Sequence, residues 1–140
     1  MGAAVGDEDF SKALVRKRRL KAKGILDKLG HLGHVQPALI ILRSCASFAK
    51  LVHNCRTSPP EHILQELAEF DSDVKDSFVK FSQLFPDDSS WSRAQRSTGT
   101  GGVGLRSTAR HAAAGFAASC VNTALLQSKI FPGLSEADVL

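Results

Sequence analysis

An all-α bundle of about four main helices is the fold this chain predicts, and three observations predict it. Apolar residues recur at helical spacing over long stretches. Those stretches are separated by helix start and stop signals: acidic first turns, prolines at helix starts, glycines beyond helix ends. Finally, 140 residues with 43% hydrophobic content suit one domain with a modest core. The expected domain spans residues 1–128, with a short tail over 129–140.

The elements follow in order. Residues 7–32 read as a helix, with Phe10, Leu14, Ala22, Ile25 and Leu29 as its apolar stripe. Asp7, Glu8 and Asp9 fall in its first turn, where the helix dipole favours anions. Lys12, Arg16, Arg19 and Lys23 form a basic stripe on the same helix, broadened by Lys17, Arg18 and Lys21. Residues 37–54 read as a second, mostly buried helix with one narrow polar line, Arg43, Ser47, Lys50 and Asn54. Ser58-Pro59-Pro60-Glu61 has the form of a capping box with proline at the first helical position. The helix it starts runs to about Leu84 on a seam of Ile63, Leu67, Phe70, Val74, Phe78, Phe81 and Phe85. Glu61, Glu66, Glu69, Asp71, Asp73 and Asp76 lie off that seam, so this helix is as acidic as the first is basic. Asp87-Asp88-Ser89-Ser90 caps a short helix carrying Trp91. Residues 107–128 read as a last helix, with a small-residue face of Ala112, Ala113, Phe116, Ala117, Cys120 and Ala124 that suits close packing. Ala3-Ala4-Val5 leaves room for a short edge strand without a visible partner, and Ser135-Glu136-Ala137-Asp138 reads as the start of a further element.

Net charge is +4, mildly basic, and its uneven placement matters more than its total. Three cysteines at irregular spacing argue against a disulfide framework and fit a reducing compartment. The first residues carry no basic region followed by an apolar run, so a secretory signal is not expected. The most apolar stretch, residues 37–52, is interrupted by Arg43 and Lys50 and reads as too short and too charged to span a bilayer. The expected location is therefore intracellular, cytoplasmic or nuclear, with no membrane partner.

Chemical motifs are few. Gly99-Thr100-Gly101-Gly102-Val103-Gly104 satisfies the dinucleotide-binding spacing. A Rossmann loop also needs a buried strand before it and an acidic residue about 20 positions on. Polar, basic residues precede the tract here and no carboxylate follows until Glu136. A turn between helices is the expected role, with no cofactor. Phe85-Pro86-Asp87-Asp88 has the aromatic-x-Asp-Asp pattern of polymerase hairpins, but a helix precedes it and serines follow, which favours helix capping over metal binding. The five histidines and three cysteines lack zinc-finger spacing, so no metal site is expected. Cys45 and Cys120 fall on apolar helical faces. The aromatics sit mostly on core seams and tyrosine is absent, which argues against a base-stacking platform. The basic stripe Lys12, Arg16, Arg19 and Lys23 has two readings. It neutralises nucleic-acid phosphates, or it pairs within the fold with Glu66, Glu69 and Asp73.

Several segments, in order, resemble the region downstream of the catalytic palm in non-LTR (LINE-type) retrotransposon reverse transcriptases. They are Gly2-Ala3-Ala4-Val5-Gly6-Asp7, Ala38-Leu39-Ile40-Ile41-Leu42-Arg43, Arg56-Thr57-Ser58-Pro59-Pro60, Phe70-Asp71, Trp91-Ser92-Arg93-Ala94 and Gly101-Gly102-Val103-Gly104-Leu105-Arg106-Ser107. The resemblance covers residues 2 to about 128, with Ala3-Ala4 standing where the family often carries Ala-Pro. It implies a primer-grip remnant followed by a thumb-like bundle and connection. It also implies contacts to RNA or DNA backbone through the first helix and Arg106. The fingers and palm, with their metal-binding aspartates, are not in this sequence, so the resemblance implies a chain that does not polymerise DNA by itself and has no catalytic residues. The alternative is a helical protein-interaction module that associates, with itself or another protein, through exposed apolar surface.

Overall fold

The computed structural model describes residues 7–130. The expected edge strand at Ala3-Ala4-Val5 and the chain from residue 131 lie outside the described residues. In chain order the helices are α1 (Glu8–Gly30), α2 (Val35–Ile41), α3 (Val52–Thr57), α4 (Pro60–Ser82), α5 (Asp88–Ala94) and α6 (Thr108–Ile130). No strand occurs among the described residues, and the predicted all-α bundle is the architecture found. The helix expected to close the domain at residue 128 continues to Ile130.

Asp7 caps α1 by accepting a hydrogen bond from the Phe10 amide at 3.0 Å. The buried line of α1 is Ser11, Val15, Ala22, Leu26 and Leu29. This corrects the expected stripe, because Phe10 and Ile25 are exposed and Leu14 is only half-buried. The true seam steps through position 19, where the sequence carries an arginine, so a search for apolar periodicity passes it over. α1 packs along α4, whose seam of Ile63, Leu67, Phe70, Val74, Phe78 and Phe81 is buried as expected. The two helices run parallel: Arg19 meets Glu66, the Ser77 hydroxyl donates to the Leu26 carbonyl at 2.8 Å, and Lys80 meets Asp27. Phe85, expected at the end of the seam, is 81% exposed, because α4 stops at Ser82 and Gln83 turns into the left-handed region at φ 56°.

Parallel packing requires the chain to travel back between α1 and α4, and residues 35–57 do so. The sequence predicts one helix there; the structure breaks it. After α2 comes a π-helical turn, Leu42–Ala46, closed by Ser47 N–H to the Leu42 carbonyl at 3.0 Å. Ser47 then leaves the helical region (φ −99°, ψ −123°), and a 3₁₀ turn, Phe48–Lys50, leads into α3. No side-chain hydrogen bond caps the break, the Ser47 hydroxyl being buried without a partner among the described residues. A π turn also shifts the helical register, which overturns the expected polar line: Ser47 and Asn54 are buried while Ile40 and Ile41 are exposed. By length and composition Val35–Thr57 is apolar enough to cross a membrane, with mean hydropathy 1.4 and 28% of that window buried. Helical structure extends past Val52, so the apolar run is longer than the predicted one. The run is nevertheless not one straight rod, and its Asn54 side chain accepts a hydrogen bond from Arg18 at 2.7 Å.

The expected capping box is not formed. Ser58 is buried with its hydroxyl unpartnered among the described residues, and the residue before α4 is Pro59, which offers no side-chain cap. Pro60 does occupy the first helical turn. Asp87 caps α5 by accepting from the Ser90 amide at 2.9 Å, and those Ser90 hydrogen bonds hold its carboxyl below the usual carboxylate range. Trp91 is buried against Phe78, ring centroids 5.6 Å apart.

The start of α6 is capped from a distance. Asp71, in the middle of α4, accepts from the Thr108 amide (2.8 Å), the Ala109 amide (3.2 Å), the Thr108 hydroxyl (2.8 Å) and the Ser107 hydroxyl (2.6 Å). Four donors on one carboxylate fix α6 to α4 and satisfy amides that a helix start leaves open. Replacing Asp71 with Ala is expected to cost about 3 kcal/mol in chemical denaturation, since the cap and the inter-helix tie go together.

The glycine tract is a turn between α5 and α6, as expected, and it is tightly bonded. Gly102 N–H donates to Ser97, Val103 N–H to Ala94 and Gly104 N–H to Arg96. A Cβ at Gly102 would stand 2.1 Å from the Arg96 carbonyl oxygen, whereas nothing lies within 4 Å of one at Gly99. Gly102→Val should therefore lose at least about 2 kcal/mol and Gly99→Val stay within about 0.5 kcal/mol of wild type, read from melting curves.

Candidate nucleic-acid interface

The sequence placed the basic stripe of α1 on one face; the structure divides it. Arg19 is 13% exposed and forks between acids of α4, with Nη1 at 3.0 Å from Glu66 and Nε at 3.0 Å from Asp73, and it also pairs with Glu69. Lys23 meets the other oxygen of Asp73 at 2.9 Å. The internal-pairing reading thus holds for these two residues. Burial opposes the charge of Arg19, but hydrogen bonding to Glu69 and the attraction of Asp73 and Glu69 outweigh it, and its pKa rises. Hydrogen bonding and attraction from Asp73 also raise Lys23. Lys12 and Arg16 take part in no ion pair among the described residues, and Arg16 is exposed.

Arg106 stands apart from that stripe. It precedes α6, and its guanidinium lies 5.9 Å over the ring of Phe48. Around it open three adjoining hollows of about 420, 460 and 270 Å³, all lined by Arg106. Arg43 lines the first, Arg96 and Arg110 the second, and Arg56 the third. No carboxylate lines any of them among the described residues. His111 packs edge-on to Phe48 at 5.4 Å and hydrogen-bonds through Nδ1 to the Ser107 carbonyl at 2.8 Å.

The sequence missed Arg43, Arg56, Arg96, Arg110, Phe48 and His111 as a group. They come from four segments, so no local spacing announces them. Phe48, within the stretch expected to be a mostly buried helix, is half-buried beside the hollows. It departs from the expectation that the aromatics sit on core seams. Gly104 has one visible role here. Its φ is 81°, and a Cβ would come within 3.0 Å of the Arg43 side chain, so the glycine lets Arg43 lie along the loop.

Other chemistry is accounted for by internal contacts. The amides of Gly102, Val103 and Gly104 that would cradle a pyrophosphate donate to carbonyls of Ser97, Ala94 and Arg96, and those of Thr108 and Ala109 are taken by Asp71. Asp87 is engaged in capping, and the neighbouring Asp88 lies 3.5 Å from Lys75. No three His, Cys, Asp or Glu side chains stand together as a metal site among the described residues. Cys45, expected on an apolar face, is exposed, because the broken helix turns it outward. Cys55 is buried, and burial, aided by the charge of Asp71, pushes its thiol up to about 11.

No protein-family model, curated protein or solved structure matches the chain.

Arg19→Ala is expected to cost about 2 kcal/mol, because Glu66 and Asp73 would be left facing the seam. The loss is smaller than the ~3–5 kcal/mol of a fully buried pair, since Glu69 is half solvated. Arg19→Lys should recover only part of it, as an ammonium cannot fork between carboxylates; urea titration reads both. The Cys55 thiol ionises at a higher pH folded than unfolded. Its contribution is therefore complete below pH 9 and lost as pH rises to about 11, amounting to roughly 2–3 kcal/mol. Cys55→Ala should flatten the fall in melting temperature across that window.

Proposed function

We propose that the chain is a thumb-like helical element of the non-LTR retrotransposon reverse-transcriptase type that holds nucleic-acid backbone and does no chemistry of its own. The observation that carries this reading is the positive charge left over once α1 and α4 have paired. Glu66, Glu69 and Asp73 of α4 are turned toward Arg19 and Lys23, while Lys12, Arg16 and Arg106 face no carboxylate within ion-pair distance among the described residues. Solvated cations on a fold without a base-reading helix bind phosphate by counterion release and tolerate any sequence. The ordered resemblance along residues 2–128 supplies the family.

A second reading rests on a different surface. The C-terminal half of α6 exposes Val121, Leu125, Leu126 and Ile130, which suits a protein-interaction module or self-association through apolar contact.

The test is binding of labelled single-stranded RNA across a salt series. Weak affinity is expected, independent of sequence, with log K falling against log salt at a slope of about −2 if Lys12, Arg16 and Arg106 each neutralise one phosphate. Primer extension with Mg²⁺ or Mn²⁺ should be absent. No binding at low salt would sink the proposal, and concentration-dependent association without RNA would move the balance to the second reading.

A further inference from the structure

We propose that the hollows around Arg106 form one continuous site for a single-stranded polynucleotide, with phosphates held by Arg43 and Arg106 and a base stacked on Phe48. This rests on the nucleic-acid reading above and assigns it a location that the α1 stripe does not supply. Three features carry it. The hollows meet at Arg106, which lines all three, so a ligand longer than any one hollow can pass from one to the next. Each hollow adds its own arginine to the shared Arg106: Arg43 in one, Arg96 and Arg110 in another, Arg56 in the third. These arginines join none of the ion pairs found among the described residues, so their charge is available to a ligand.

Cations alone would serve a phosphopeptide or an anionic membrane equally well. The ring of Phe48 is what favours nucleic acid. It lies half-buried among the arginines, with His111 against its edge and Arg106 over its face. In the free protein the Arg106 guanidinium covers that face at 5.9 Å. Turning it toward a phosphate uncovers the ring, so one movement creates both a phosphate contact and a stacking surface. Arginine planes and aromatic faces interleaved along a groove match the alternation of phosphates and bases on a single strand. A peptide with one phosphate would use one hollow, and a flat membrane would use neither the depth nor the ring. The surrounding hydroxyls of Ser97 and Thr98 add neutral donors for phosphate oxygens.

The experiment compares four proteins for binding to a fluorescent single-stranded oligonucleotide and to its abasic counterpart, after melting curves show that each is folded. Arg43→Gln/Arg106→Gln should weaken binding to both strands at least tenfold and flatten the salt slope by about 1.4, two contacts at about 0.7 each. Phe48→Leu, which keeps an apolar side chain in place, should weaken binding to the base-bearing strand roughly tenfold and leave the abasic strand unaffected. Lys28→Gln/Lys129→Gln removes two charges away from the groove and should change affinity by no more than about twofold. If the strand binds wild type but the arginine pair matters no more than the distant lysines, the site is wrong while the general nucleic-acid reading stands. If no strand binds at all, both fail. If Phe48→Leu weakens the abasic strand equally, there is no stacked base and the proposal is overturned. If phosphatidylserine vesicles bind wild type more tightly than the oligonucleotide and lose that binding in the arginine variant, the ligand is a membrane surface and the proposal is overturned.

Discussion

The carboxylate of Asp71 is the constraint on which the rest of this structure depends. It sits at the midpoint of α4 and holds the first turn of α6 through four hydrogen bonds, two from amides and two from hydroxyls. Ser107 caps α6 locally, its hydroxyl accepting from the Arg110 amide, and it donates to Asp71 in turn, so the local cap is itself held in place by Asp71. Because α6 begins where Asp71 places it, Leu105 is drawn into the core and Arg106 is turned out beside Phe48. The tie has an electrostatic consequence as well. A free helix start attracts anions, but this one is filled by an internal carboxylate. The positive character of the neighbouring surface therefore comes from arginine side chains, which can move toward a ligand, and not from fixed backbone dipoles.

Four acids of α4 are divided between two tasks. Glu66, Glu69 and Asp73 face α1 and neutralise Arg19 and Lys23, while Asp71 points the other way and caps α6. No carboxylate lines the hollows on the side of the molecule built from the broken return segment, the glycine loop and the start of α6, among the described residues. Arginines without ion-pair partners among the described residues gather there, apart from the unpaired Lys12 and Arg16 of α1. The seam pairing is semi-buried, so its worth lies in the cost of breaking it more than in its net gain over apolar packing. It fixes the rotation of α1 with Val15, Ala22 and Leu26 inward.

Much of this was legible in the sequence. The α4 seam follows from unbroken apolar spacing, the α5 cap from Asp87 beside serines, and the glycine tract from residues that neither a strand nor a carboxylate supports. Three things were not legible, each for a physical reason. The rotation of α1 was hidden because Arg19 occupies a seam position, and periodicity counts an arginine as surface. The bend at Ser47 was hidden because a π turn costs little when tertiary packing favours it, so Leu42, Ala46 and Leu51 stay buried on both sides of the break. The Asp71 cap was hidden because its partners lie 36 to 38 positions away, beyond any local capping pattern. The arginine groove shares that last obstacle, since it exists only after four segments have been brought together.

The two surfaces that α6 presents are physically independent. Its first turns carry Arg110, His111 and Gly115 against the groove and α3, where the absence of a side chain at Gly115 leaves the helix close to the Cys55 backbone (3.5 Å from an added Cβ). Its last turns carry Val121, Leu125, Leu126 and Ile130 into solvent. A helix of 23 residues is about 34 Å long, so a partner resting on the last two turns need not approach the arginines. Association through that end and strand binding at the other are therefore compatible. A dimer formed through the apolar end would present two grooves to one polynucleotide and raise its avidity without any change in either site.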